Sequence, residues 1–360
     1  MARIIYGVQG EGRGHSSRSK LVIEHLMAAG HEVRIFTSNK GLDYLSQCFE
    51  NVTPILGLGF VFDGHRLDLL RTVQKNIQEG SGEAGRTVST LARCVREFKP
   101  QVAITDFEPF VPYVHSLGVP FLSINHQHIL THYKLEFPHA WRADYRAARA
   151  VTDNMYRRAK RYFVTSFFFP PVKNPYRRRA VLVGPILRRE VLDQTPSSHG
   201  PIVLYATTAG ARQMLDLARQ TQETYLAYGF DEPTGPQGNI TFRPPSTDGF
   251  LRDVAAAKAV IANGGYTLMS EALYLRTPIY SIPIDHQFEQ MLNGYYLQKL
   301  GYGLYDLEPT LERLMMFLDG LGYFVRNIER DHARFCGNRE LFERLDGDIK
   351  DLARPHRQAR

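Results

Sequence analysis

The chain is poor in cysteine and tryptophan, with three and one among its 360 residues. Cys48, Cys94 and Cys336 lie far apart and form no CxxC pair. That excludes a disulfide framework and a thiolate metal site, and it suits a reducing cytoplasm. Long apolar runs are also missing, so nothing reaches the roughly 20 residues of a bilayer-spanning helix. The strand-like run RIIYGV begins at residue 3, and no signal peptide is expected ahead of it. There is no repeat at a fixed period and no long low-complexity tract. What remains is an ordinary globular composition, 43% hydrophobic and 22% charged, on a chain long enough for two domains.

Short apolar runs alternate with helical patterns. RIIYGV, EVRIFT, VAITD (102–106), FLSIN (121–125) and RAVLVG (179–184) read as strands, with a helix over Ser17–Ala29 closed by Gly30. After the polar stretch DQTPSSHG the pattern restarts with PIVLYAT, NITFR, AVIAN and PIYSI. Strands alternating with helices predict parallel sheets covered on both faces. The fold expected is α/β, two doubly wound Rossmann-like domains facing across a cleft. The expected boundaries are 1–185, 186–335 and a C-terminal helical segment, 336–360, packing back on the first domain. Ligands are expected at the carboxyl ends of the strands, between the domains.

The opening loop, GVQGEGRGHSSRS, invites a phosphate reading that its details refuse. A dinucleotide fingerprint needs G-x-G-x-x-G and an acid after the second strand. Here the glycines fall at Gly10, Gly12 and Gly14, and the second strand ends in TSNK. A P-loop needs G-K-[ST], and GRGHSS has no lysine. What the loop delivers is His15 at a helix start. Such a histidine is disfavoured as imidazolium and suits a general base; it can equally be a simple cap. Asp106 ends another buried strand on the same sheet edge and can orient the ring. Glu108 competes for that role.

The stretch 263–301, NGGYTLMSEALYLRTPIYSIPIDHQFEQMLNGYYLQKLG, is the most informative. Gly264 and Gly265 can bring backbone N–H groups to phosphate, and Glu271 in the following helix can accept two ribose hydroxyls. This stretch resembles the donor half of GT-B glycosyltransferases, in particular the MurG-type enzymes with a family 28 C-terminal-like domain. The shared pattern is GG-x-T-x-x-E-A-L, a P-I strand, then E/D-Q-x-x-N. TTAGAR, GPILR and GFLRDVAAA resemble further segments of that superfamily, in the same order. Together ITDFEP, SINHQH and GPILR resemble a branch of uncharacterised prokaryotic members. The resemblance implies Thr208, Gly210, Gly264, Gly265 and Arg188 toward the diphosphate, Thr267 on the donor side at the start of the following helix, and Phe250 and Leu251 at the nucleobase. It also implies Glu271 at the ribose, and Glu289, Gln290 and Asn293 at the sugar. Gly10, Gly12 and Gly14 would form the acceptor-side loop, with His15 and Asp106 as the catalytic dyad. His126 and His128, from NHQHILTH, are read as lining the cleft beside His15 or closing a strand end; they lack a third metal ligand. The TTAG loop is less glycine-rich than is usual for such enzymes, and residues 55–100 match no part of the pattern.

The function this implies is inverting transfer of a hexose or N-acetylhexosamine from a UDP-sugar to an acceptor hydroxyl of unknown identity. No metal, cofactor or nucleic acid is implied. A nucleotide-sugar hydrolase or epimerase, or a non-catalytic nucleotide-sugar-binding subunit, would keep the same site; GRGHSSRS also resembles the G-x-G-H-x-x-R-S loop of some hydrolases. Net charge is +7, yet residues 142–189 alone hold 13 Lys/Arg against two acids. That segment reads either as a peripheral surface for anionic lipid head groups on the cytoplasmic side or as a solvated helix face before a buried strand. DGD at 346–348 matches a metal motif on paper but lies in a charged helical segment. The run 312–324 reads as an amphipathic helix.

Overall fold

The computed structural model describes residues 1–57, 62–63, 66–67, 69–155, 158–206 and 211–354. The first half supplies β1 (Arg3–Val8), β2 (Glu32–Thr37), β3 (Val52–Pro54), and a small ribbon of β4 (Phe62–Asp63) and β5 (Arg66–Leu67). It continues with β6 (Val102–Asp106), β7 (Phe121–Asn125), β8 (Arg161–Thr165) and β9 (Ala180–Val183). VAITD and FLSIN are buried at every position, as parallel strands covered on both faces must be. The sheet runs β3-β2-β1-β6-β7-β8-β9, all parallel.

The second half supplies β10 (Ile202–Tyr205), β11 (Tyr225–Tyr228), β12 (Gly235–Gln237), β13 (Ile240–Phe242), β14 (Val260–Ala262), β15 (Ile279–Ser281) and β16 (Gly303–Tyr305). Its order is β12-β13-β11-β10-β14-β15-β16, parallel except at the β12 edge. Among the parallel strands of each sheet the order reverses once, between β1 and β6 and between β10 and β14. At such a reversal the connecting segments diverge and leave a crevice at the carboxyl ends.

The first helix spans Arg13–Ala28 rather than starting at Ser17. Gly12 at φ +74° makes the turn that lets it begin early. The run 312–324 is two helices, Leu311–Asp319 and Leu321–Asp331, parted at Gly320. Leu314, Phe317, Phe324 and Ile328 face inward, while Met315, Met316 and Tyr323 stay exposed.

The helix Asn338–Leu352 lies against the first sheet, with Leu341, Leu345 and Ile349 in one cluster with Ile4, Val33 and Val102. Arg161 grips Asp348 through Nε (2.8 Å) and Nη2 (2.9 Å). His25 Nε2 lies 2.9 Å from Asp346 Oδ1, and its ring stacks on Phe342 at 4.0 Å. Both aspartates of DGD therefore fasten this helix.

To reach the first sheet again the chain passes beside its earlier crossing. Gly337 N–H donates to the Pro185 carbonyl (2.8 Å). Asn338 accepts from Leu187 N–H (2.9 Å) and donates to the Leu187 carbonyl (2.7 Å). A Cβ on Gly337 would lie 2.3 Å from the Gly184 oxygen, so both crossings need glycine. Truncating the buried Leu345 to alanine should cost about 2–5 kcal/mol of stability, read as a lower denaturant midpoint.

Candidate functional site

The register sets Val8 of β1 beside Asp106 of β6 at the strand ends. The Gly12 turn then carries the Arg13–Ala28 helix back over those ends, with His15 in its first turn. His15 Nδ1 lies 2.7 Å from Asp106 Oδ1. Arg18, one turn on, donates Nε–H to Oδ2 (2.7 Å) and Nη2–H to Oδ1 (2.5 Å). Ser19 donates its hydroxyl to Oδ2 (2.9 Å). Phe107, held at φ +53°, turns its ring alongside His15, with centroids 6.2 Å apart.

Asp106 is fully buried. Burial alone would push its carboxyl up, but the charges and hydrogen bonds of Arg18 and His15 outweigh it and hold the group at about 2. Arg18 Nη2 also lies 2.8 Å from His15 Nδ1. When Nδ1 carries the proton it donates to Asp106, and Nε2 keeps a lone pair. Nε2 bonds no described residue, and the His15 side chain borders the central cleft. Glu108 points elsewhere: it accepts from Phe110 N–H (2.8 Å) and Val111 N–H (2.6 Å), and burial lifts it to about 7.

The cleft is about 570 Å³ and takes walls from both halves. Gly12, Gly14, His15 and Arg18 line one side; Gly265, Thr267, Phe250 and Glu271 line the other. Two helices begin on it, Arg13–Ala28 behind Gly12 and Tyr266–Tyr274 behind Gly265, and neither has a side-chain cap. Their first N–H groups are open to a ligand, and a helix N-terminus favours an anion. Gly14 allows this approach, since a Cβ there would sit 2.6 Å from Thr267 Oγ1.

Arg188 and Glu271 meet each other directly. Arg188 donates Nε–H to Oε1 (2.8 Å) and Nη2–H to Oε2 (3.0 Å). Burial raises the Glu271 pKa, with Arg188 opposing. Phe250 packs against Tyr205 and Tyr228, at 5.2 and 5.0 Å between centroids, making an aromatic corner of the cleft. Glu289 and Gln290 also line it; Glu289 accepts from Gln127 (3.0 Å) and Gln290 accepts from Ile284 N–H (3.0 Å).

Several expected contacts do not reach the cleft. Leu251 is in the core, because the residue after Phe250 points to the other side of the helix. Asn293, His126 and His128 are fully buried. Asn293 donates to the Gly264 carbonyl (3.0 Å), and its Oδ1 faces His126 Nε2 (2.9 Å). His128 lies against Asn125, His132 and Tyr162. Gly264 sits on the Gln290 backbone, and Gly10 on the backbone of Ser38, each too close for a Cβ. Thr208 and Gly210 lie outside the described residues. The basic segment is not one face: Arg161 pairs with Asp348 and Arg188 with Glu271, while Arg142, Arg146 and Arg149 border a groove with Phe137 and Tyr145. Arg18, Tyr205 and Tyr228 were missed. Arg18 had a signal, its i+3 spacing from His15. Among the described residues no group of three His, Cys, Asp or Glu is arranged to hold a metal.

The family model described as glycosyl transferase family 1 matches residues 2–322. The chain belongs to this family. An uncharacterized glycosyltransferase of Methanosarcina mazei is 24% identical, covering 96% of this chain and 98% of that protein. One from Methanosarcina acetivorans is 23% identical, covering 96% and 95%. Among solved structures, the glycotransferase of kitacinnamycin gives a TM-score of 0.68 at 15% identity, covering 98% of this chain and 99% of that one. VinC, solved in complex with dTDP, gives 0.63 at 16% identity, covering 98% and 99%. MurG of Acinetobacter baumannii gives 0.63 at 12%, covering 96% and 100%. The fold of this glycosyltransferase is GT-B, two Rossmann-like domains.

An Asp106→Asn variant tests the buried charge. A carboxyl held below its ordinary 3.8 stabilises the fold above that pH and loses the contribution as pH falls through about 2. At pH 7 the variant leaves Arg18 buried without its counter-charge and should lose about 3–5 kcal/mol. Thermal unfolding from pH 7 downward should show the gap to wild type narrowing below pH 3.8 and closing below about 2.

Proposed function

We propose that this glycosyltransferase moves a hexose or N-acetylhexosamine from a UDP-sugar to an acceptor hydroxyl, with inversion at the anomeric carbon. The observation that carries the reading is the His15–Asp106 pair on the same cleft as Arg188 and Glu271. The likeness to VinC, solved with dTDP, supports a nucleoside diphosphate in that cleft.

The pyrimidine packs in the corner of Phe250, Tyr205 and Tyr228. Arg188 occupies one acceptor position on each Glu271 oxygen, and a carboxylate oxygen has two. The free positions take the ribose hydroxyls, while Arg188 and the N–H groups behind Gly265 meet the diphosphate. Glu289 and Gln290 face the sugar. His15 Nε2 takes the acceptor's proton as the acceptor oxygen bonds the anomeric carbon. The bond from that carbon to the diphosphate oxygen breaks, and UDP leaves with the electron pair. Asp106 holds the imidazolium in place and stays ionised. Fixed donors aimed at the departing diphosphate carry the electrostatic work, so the step needs no metal. The reading places the enzyme in the cytoplasm, with Arg142, Arg146 and Arg149 toward an anionic membrane face and the acceptor among envelope glycans and lipids.

Release of UDP from UDP-sugars, with and without lipid or glycan acceptors, tests this. His15→Ala should lower turnover roughly 100-fold or more while leaving UDP affinity unchanged. Glu271→Gln should weaken UDP binding about tenfold, a loss on the scale of one charged hydrogen bond. EDTA should leave the rate unchanged. Acceptor-independent release at the full rate would replace transfer by hydrolysis, and a His15→Ala enzyme with full turnover would remove the base.

A further inference from the structure

His126, Asn293 and Gly264 miss the cleft, yet they form one line of hydrogen bonds between the two halves. His126 follows β7 and has no exposed surface. Its Nδ1 lies 2.7 Å from the Thr165 carbonyl oxygen, in the first half. Its Nε2 lies 2.9 Å from Asn293 Oδ1, in the second. Asn293 Nδ2 donates to the Gly264 carbonyl at 3.0 Å. The next residue, Gly265, caps the helix that opens on the cleft.

The Thr165 oxygen is a carbonyl and only accepts. The Asn293 amide takes its orientation from the bond to Gly264, since turned over it would set its oxygen against the Gly264 oxygen. Both nitrogens of His126 therefore face acceptors. A neutral imidazole has one N–H and can serve one of them; an imidazolium serves both. The ring is stacked on Tyr266 at 4.0 Å and meets the edge of Phe168 at 5.9 Å.

Burial favours the neutral ring. Of the charged groups around it, Glu289 on the helix Phe288–Lys299 favours the cation and Arg18 on the helix Arg13–Ala28 opposes it. Tyr266 is pushed up to about 12 by burial and stays neutral. With a single proton, the two halves compete for it. Placed on Nδ1, it binds the ring to its own domain and sets two lone pairs against each other across the domain contact. Placed on Nε2, it bridges the domains and leaves the Thr165 oxygen facing a lone pair.

We propose that His126 is a positioning residue that locks the Gly264–Gly265 loop to the first domain, and that binding of a nucleoside diphosphate draws a second proton onto its ring. This rests on the reading of that loop as the diphosphate site. The bound diphosphate adds negative charge at the loop, and the closed contact supplies acceptors for both N–H groups. The proton comes from solvent, and no other bond changes.

The probe is UDP, titrated calorimetrically into the full chain between pH 6 and pH 8. Buffers of different ionisation enthalpy count the protons taken up. His126→Gln keeps an N–H toward Asn293 and cannot titrate; His126→Asn keeps one toward Thr165 and abandons the bridge. UDP itself titrates near pH 6, as phosphate groups do, so the readout is the difference between wild type and His126→Gln. Wild type should take up more protons and gain about fivefold more affinity toward pH 6 than His126→Gln, on the scale of one hydrogen bond. His126→Asn should bind UDP about fivefold more weakly than His126→Gln at every pH, by the same measure. Ring-nitrogen NMR of wild type needs no variant and should show His126 gaining its second proton as UDP is added. Equal proton uptake in wild type and His126→Gln, both binding UDP, overturns the proposal, as does a ring that keeps one proton. Wild type that binds no UDP at any pH overturns the donor-site reading and this proposal with it.

Discussion

Asp106 is a carboxylate without contact to water, and such a charge persists only where donors and cations replace the lost hydration. His15, Arg18 and Ser19 supply the replacement, at positions i, i+3 and i+4 of one helix. Side chains at that spacing share one face. Their common target therefore fixes both the rotation of the helix about its axis and its height above the strand ends. Turn the helix by one residue and the three contacts fail together. The direction of His15 Nε2 follows from this fit, as does the need for the Gly12 turn that admits the helix and the Phe107 turn that flanks it.

The second half meets this arrangement with a helix end of its own. Gly14 lets the Arg13–Ala28 helix come against Thr267, so two N-termini without side-chain caps face one cleft. Each end carries partial positive charge, and bringing them together is unfavourable until something negative lies between them. Arg188 adds a full charge and is steadied by Glu271. A site of this construction is suited to a ligand that is anionic in its middle and aromatic at one end, where Phe250, Tyr205 and Tyr228 gather.

Much of the framework was legible because it follows from local pattern. VAITD and FLSIN read as strands to the residue, since strands covered on both faces are continuous apolar runs, and EVRIFT did so by alternation at its start, where Glu32 and Arg34 are exposed and Val33 and Ile35 buried. The pairing of His15 with Asp106 was legible because both follow neighbouring strand ends at the reversal of the sheet. The strand Gly303–Tyr305 was not: it opens on a glycine required by the Ile279 carbonyl of a neighbouring strand, a contact between distant residues. Asn293 and His126 lie away from the cleft for a related reason, His126 closing the end of a strand. Their types suit a sugar or a phosphate, but whether they face the cleft or the contact between halves depends on how the halves pack. Phe250 and Leu251 differ by one position, and helical geometry sends one to the cleft and the other to the core. Arg18 was legible only through its i+3 spacing from His15.

The two chain crossings near Gly184 and Gly337 carry a mechanical consequence. They run side by side and are bonded to each other through Pro185, Leu187 and Asn338. One crossing alone would be a swivel, free to twist in any direction. Two crossings laced together form a hinge with a single easy axis, because any twist about the chain would stretch one against the other. Any opening of the two halves is then confined to that axis, with the facing edges kept in register. The glycines at the spine are what let its two strands lie so close.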